Sequence, residues 1–137
     1  MQKFITIETF IKAPIEKVWW DFNNPEAIKA WGHASNDWHT TSAENDLKVG
    51  GKFSYHMEAK DGSVGFDFWG IYDDVVLNKS IAYTMGDGRK AEITFEIEND
   101  QVRVTEKFEP ETENPEEMQR IGWQAILDNF KNYVEVK

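Results

Sequence analysis

Apolar and polar positions divide the chain into a strand, two short helices, a run of strands and one long helix. Residues 4–11 (FITIETFI) are rich in Phe, Ile and Thr, which predicts a strand. Pro14 opens a helix, where its missing N–H costs nothing, and Ile15, Val18, Trp19 and Phe22 follow at helical spacing. Asn24 caps a second short helix that carries Ala27, Ile28 and Trp31 on one face. Residues 32–49 are polar and read as a loop containing one strand around Trp38–Thr41.

From Gly50-Gly51 the period changes to two. Phe53, Tyr55 and Met57 alternate with Ser54, His56 and Glu58 up to a turn at Asp61-Gly62. Phe66, Phe68 and Tyr72 share one parity, and Ile81, Tyr83 and Met85 share the next. Ala91, Ile93, Phe95 and Ile97 form a fourth set; Val102, Val104, Glu106 and Phe108 form a fifth. Five strands joined by short turns make an antiparallel meander with one oily face. A long helix follows from about Pro115, capped by Asn114, with Trp123, Ile126, Leu127, Phe130 and Val134 on one stripe. An oily sheet face needs cover and this helix supplies it, so the fold class is α+β.

Composition narrows the picture. A chain of 137 residues matches a single domain, 1–137, and 40% apolar with 14% aromatic content excludes disorder. Fifteen basic against 25 acidic residues give a net charge of −10, which disfavours nucleic acid and anionic membrane as partners. There is no Cys, hence no disulfide and no thiolate chemistry. Met1-Gln2-Lys3-Phe4 reaches Glu8 too early for a signal-peptide core, and no apolar run is long enough to span a bilayer. A soluble, cytoplasmic protein is the expectation.

The segment Ile11-Lys12-Ala13-Pro14-Ile15-Glu16-Lys17-Val18-Trp19, followed by Asn24-Pro25-Glu26 and Trp31, resembles the opening of the START-like (SRPBCC) superfamily. Asn45-Asp46-Leu47-Lys48-Val49-Gly50-Gly51-Lys52-Phe53, Ile81-Ala82-Tyr83-Thr84 and Gly122-Trp123-Gln124-Ala125-Ile126-Leu127 point to one branch of it. That branch is similar to the C-terminal domain of the activator of heat-shock-protein-ninety ATPase. The likeness runs from about residue 3 to residue 135. It implies a helix-grip fold, in which a curved antiparallel sheet wraps around the C-terminal helix and two short helices follow the first strand. It also implies an apolar cavity of the kind relatives use for lipids, steroids, hormones or polyketides. Some relatives are cyclase/aromatase or hydrolase enzymes, and the branch takes its name from a chaperone partner.

By parity and stripe, Phe53, Tyr55, Met57, Phe66, Phe68 and Tyr72 face the helix, as do Tyr83, Met85 and Phe95. Trp123, Ile126 and Phe130 answer them from the helix side. These aromatics either fill a solid core or surround a cavity, and the sequence leaves both open. Three tyrosines on the oily parity want hydrogen-bond partners, which favours a cavity. Gly70 and Gly122 remove side chains from the same region, leaving a gap or allowing close approach; Gly122 costs its helix about 0.8–1 kcal/mol against Ala.

Glu106 shares the inward parity of Val104 and Phe108, so it must be paired, hydrogen-bonded or protonated. It is a candidate ligand anchor or general acid. The segment Trp31-Gly32-His33-Ala34-Ser35-Asn36-Asp37-Trp38-His39 is expected at the cavity rim, with Trp31, Trp38 and His39 as ligand contacts. His33, Asp37 and His39 match no zinc spacing, so no metal and no cofactor are expected. No Gly-x-Ser-x-Gly elbow or phosphate loop occurs, and no catalytic residue is assigned. The first reading is therefore a module binding an apolar or aromatic small molecule or lipid. The alternatives are a polyketide cyclase/aromatase-type enzyme using Glu106 or His39, or a chaperone co-factor acting through its surface.

Overall fold

Alternation builds the first strand, β1 (Ile5–Ile11), whose Ile5, Ile7, Thr9 and Ile11 are buried while the residues between face outward. The structure is a computed structural model and describes residues 3–136. After β1 come α1 (Ile15–Asn23) and α2 (Pro25–Trp31). Pro14 sits at the extended position before α1, one residue ahead of the expected first turn, and Pro25 opens α2. Asn24 Oδ1 accepts a hydrogen bond from the Glu26 N–H at 2.8 Å, the side-chain cap its position predicts.

The remaining strands are β2 (Trp38–Asn45), β3 (Lys52–Ala59), β4 (Gly65–Val76), β5 (Ser80–Met85), β6 (Lys90–Glu98) and β7 (Gln101–Phe108). Among the described residues they form one antiparallel sheet in the order β1-β7-β6-β5-β4-β3-β2. A full strand therefore stands where the sequence predicts mostly loop. Its register slips at a bulge between Thr40 and Ser42, and its polar side chains interrupt the period-two signal. The Asn99–Asp100 turn places both residues at positive φ (52° and 64°), the twist a two-residue hairpin requires. Ile97, expected on the inner face, is exposed near this turn.

The last helix, α3 (Glu116–Val136), begins one residue after Pro115. Asn114 does not cap it with its side chain; its Nδ2 instead donates to Glu111 Oε2 at 3.0 Å. Leu127, Phe130 and Val134 are buried as the apolar stripe predicts. Polar side chains of α3 also grip the open edge of β1. Arg120, Gln124 and Lys131 donate to the carbonyls of Thr6, Glu8 and Phe10 at 3.0, 3.2 and 2.7 Å. These carbonyls belong to alternate residues along one edge, so the helix covers an edge that would otherwise invite another chain.

This architecture is the helix-grip fold. Phe22, Trp31 and Phe130 pack with ring centroids 5.0–5.5 Å apart and close one end of the core. With α3 committed to β1, the opposite half of the curved sheet, β3 to β5, stands away from the first turns of that helix. No helix among the described residues is long and apolar enough to cross a membrane.

Candidate functional site

The space between α3 and the β3–β5 half of the sheet is a cavity of about 320 Å³. That lies at the lower end of the range for small-molecule pockets. Phe53 and Phe68 form one wall, with centroids 5.5 Å apart, and Tyr83 meets Phe53 edge-on at 4.8 Å. Trp123 of α3 stands opposite, 6.0 Å from Phe68 and stacked on Phe108 at 3.8 Å. Phe66 and Met57, paired across β3 and β4, line the side towards the hairpin tip, and Phe66 is 50% exposed.

The two glycines resolve differently. A Cβ on Gly70 would lie 2.7 Å from the Thr84 carbonyl oxygen and 2.9 Å from the Phe53 ring, so this glycine lets Phe53 lie flat on β4. A Cβ on Gly122 would meet nothing within 4 Å. Gly70 therefore serves close packing, whereas Gly122 borders open space.

Polar groups inside are few and ordered. Tyr72 donates its hydroxyl proton to Asn45 Oδ1 at 2.5 Å, and Tyr55 is hydrogen-bonded to Tyr72. Since the Tyr72 proton is already committed, Tyr55 is the donor of that second bond. Asn45 Nδ2 continues to the Asn23 carbonyl at 2.8 Å, and Asn23 Nδ2 to the Trp19 carbonyl at 2.9 Å. The phenols thus end a chain anchored in α1, which fixes their orientation. Burial pushes Tyr55, Tyr72 and Tyr83 well above the ordinary phenol value, so all three remain protonated donors.

Glu106 is 9% exposed and lines the same cavity. Its strand neighbours are Ile7 on β1 and Ile93 on β6, both apolar. Among the described residues no hydrogen bond or ion pair reaches its carboxyl, and burial raises its pKa to about 8. The group is therefore mostly neutral at pH 7, with its proton available to a guest.

At the α3 end, the loop between β7 and α3 contributes Glu111 and Asn114 to the lining, beside Gln119 and Arg89. Gln119 Nε2 donates to the carbonyls of Glu111 and Asn114 at 3.1 and 2.9 Å, and its Oε1 accepts the Glu111 N–H at 2.9 Å. Arg89 Nε is 2.7 Å from Asp87 Oδ2, and its Nη1 donates to the Glu109 carbonyl at 3.1 Å.

Of the residues picked from sequence, Trp31, Phe53, Tyr55, Met57, Phe66 and Phe68 line the cavity. So do Tyr72, Tyr83, Glu106, Trp123 and Ile126. Three others are core instead. Phe95 packs edge-on against Trp19 and Phe22, Phe130 against Phe22 and Trp31, and Met85 is buried beyond the cavity at the end of β5. Trp38 contacts Phe66 at 6.0 Å without reaching the lining. His39 stands cross-strand from Glu58, with 4.0 Å between His39 Nε2 and Glu58 Oε2, which leaves it outside the cavity.

The Trp31–His39 segment is tied down at its start. The Trp31 indole donates to the Asp21 carbonyl at 2.9 Å, and Asn129 Nδ2 donates to the His33 carbonyl at 2.5 Å. Among the described residues no group of three His, Asp or Glu is placed to hold a metal ion. Gly32, in the segment expected at the rim, also lines the cavity, whereas sequence reasoning missed Phe22, Ile28, Ile81, Arg89, Glu111, Asn114 and Gln119 as lining residues. Gln119 carried a usable signal, since it is the polar residue one turn before Trp123 on the apolar stripe.

Comparison with known proteins matches residues 12–135 to the family model for activator of Hsp90 ATPase homolog 1-like protein. The solution structure of an AHSA1-like protein from Aeromonas hydrophila is 47% identical, covers 98% of this chain and 93% of that one, and superposes with a TM-score of 0.92. A solution structure from Cytophaga hutchinsonii is 52% identical over 96% of this chain and 92% of that one, with a TM-score of 0.84. A crystal structure from Chromobacterium violaceum, 24% identical over 97% of this chain and 98% of that one, shares the fold at a TM-score of 0.86. No curated protein matches.

Proposed function

The chain belongs to the family of activator of Hsp90 ATPase homolog 1-like proteins, and from that premise we propose that it binds an apolar or aromatic small molecule or lipid between the sheet and α3. The observation that carries this reading is an unpaired buried carboxyl, Glu106, on a cavity otherwise walled by aromatic rings. In a solid core such a group would lose its hydration with no return. Beside an open cavity it serves as the polar anchor for a guest, with the Tyr55 and Tyr83 phenols orienting the remainder. The chain of hydrogen bonds behind Tyr72 adds preorganisation, which lowers the cost of binding.

Native mass spectrometry of freshly purified protein, followed by denaturing analysis of what is released, tests the reading. The expected result is a stoichiometric guest, or, for apo protein, stabilisation by an aromatic compound of about 2.7 kcal/mol at a hundredfold excess over its Kd. An apo mass together with no stabilisation across a panel of one- and two-ring compounds would refute it.

One observation favours a second reading. A carboxyl with its pKa near 8 in a sheltered cavity is suited to general acid–base work near neutral pH. Under that reading Glu106→Gln abolishes turnover of the guest while retaining its binding; under the first reading no turnover occurs in either protein.

A further inference from the structure

The charge pattern around the cavity points to the kind of guest. Glu106 is an inward-facing acid whose charge no described residue answers: its neighbours on β1 and β6 are Ile7 and Ile93, and α3 presents Gln119, Trp123 and Ile126. Tyr55, Tyr72 and Tyr83 face it from β3, β4 and β5 as neutral phenols. The other charged lining groups are already engaged. Arg89 is matched by Asp87, and both Glu111 carboxylate oxygens accept from Asn114, one from its backbone N–H at 2.6 Å and one from its side chain. The rest of the wall is aromatic, and the negative face of an aromatic ring attracts a cation.

Resting on the small-molecule reading above, we propose that the guest is an organic cation, an ammonium group on a short apolar or aromatic body, with its charge paired to Glu106 and faced by Tyr55, Tyr83, Phe68 and Trp123. Size agrees, since 320 Å³ corresponds to roughly ten waters at ~30 Å³ each, about one ring with a short aminoalkyl arm. The net charge of −10 draws cations towards the protein and repels carboxylate analogues.

A pH signature follows. Empty, the cavity holds Glu106 protonated below about 8. A bound ammonium favours the carboxylate, so each binding event at lower pH releases one proton. An alkyl ammonium keeps its own proton to about pH 10. Apparent affinity therefore rises about tenfold per pH unit up to about 8 and then levels.

Calorimetric titration with three shape-matched probes tests the proposal: 3-phenylpropylamine, 3-phenylpropan-1-ol and 3-phenylpropionate, at pH 6, 7 and 8. The amine is expected to bind about tenfold or more tighter than the alcohol at pH 8, and the carboxylate not to bind. At pH 8 Glu106→Gln is expected to weaken the amine by about tenfold or more and to affect the alcohol far less, with circular dichroism and a cooperative urea transition reporting that the variant is folded. Alcohol binding without amine preference, or amine binding indifferent to Glu106→Gln and to pH, would overturn the cation and leave the cavity reading standing. Binding of none of the three would defeat both.

Discussion

Replacing Glu106 by Gln isolates the titration of one buried carboxyl from the other acidic groups of this chain. Its pKa rises from 4.5 in the open chain to about 8 in the folded protein, by burial. Between those values the folded state keeps a proton that the unfolded state gives up. The stability linked to Glu106 is thus fully present below pH 4.5 and is lost as pH rises to about 8. At ~1.4 kcal/mol per pH unit the whole window amounts to roughly 5 kcal/mol, a ceiling that water entering the cavity lowers. Urea unfolding of both proteins at half-unit steps from pH 5 to 8.5 reads the effect, and the difference between the two curves cancels the general repulsion among surface carboxylates. Wild-type stability should fall towards pH 8 relative to the Gln variant, then run parallel to it. A constant difference across the range would mean that the carboxyl titrates as it does in the open chain, and the account of the site would fail.

Four further outcomes are expected. Gly70→Ala drives a methyl group against the Thr84 carbonyl and the Phe53 ring and should cost about 1–3 kcal/mol in chemical denaturation, whereas Gly122→Ala meets open space and should gain about 0.8–1 kcal/mol in helix propensity. Tyr72→Phe removes both the bond to Asn45 Oδ1 and the acceptor of the Tyr55 proton, and should lower stability by about 1–3 kcal/mol, measured by thermal unfolding. Phe130→Ala opens a void under Phe22 and Trp31 and should cost about 3–5 kcal/mol, read from the urea midpoint.

Much of this was written in the sequence because period-two strands and a helical stripe both report a shared oily interior. Parity alone put Tyr55, Tyr83 and Glu106 on the inner face, where they stand. Only the first half of β2 is legible, as a strand around Trp38–Thr41, because its bulge and polar side chains erase the alternation that marks the other strands. Phe95 and Phe130 obey the same parity as the cavity wall and yet are core, since α1 and α2 press on that end of the sheet; parity gives the face, not what covers it. Arg89, Glu111 and Asn114 reach the lining from turns and loops held by Gln119 and the Glu109 carbonyl, contacts that no local period encodes. The grip of Arg120, Gln124 and Lys131 on alternate carbonyls of β1 is equally nonlocal. It fixes which side of the sheet is sealed and, by leaving the other side free, where the cavity lies.

The central claim is that the space between β3–β5 and α3 admits a guest. Titrating isotope-labelled protein with 3-phenylpropan-1-ol and following the indole N–H signals tests it most directly. Trp123 lines the cavity, whereas Trp20 is 64% exposed on the outside, so each protein carries its own control. The account predicts a saturable shift of Trp123 and of the amides around Tyr55, Tyr83 and Glu106, with Trp20 unmoved. No shift up to the solubility limit of the alcohol, or equal movement of Trp20 and Trp123, would contradict it.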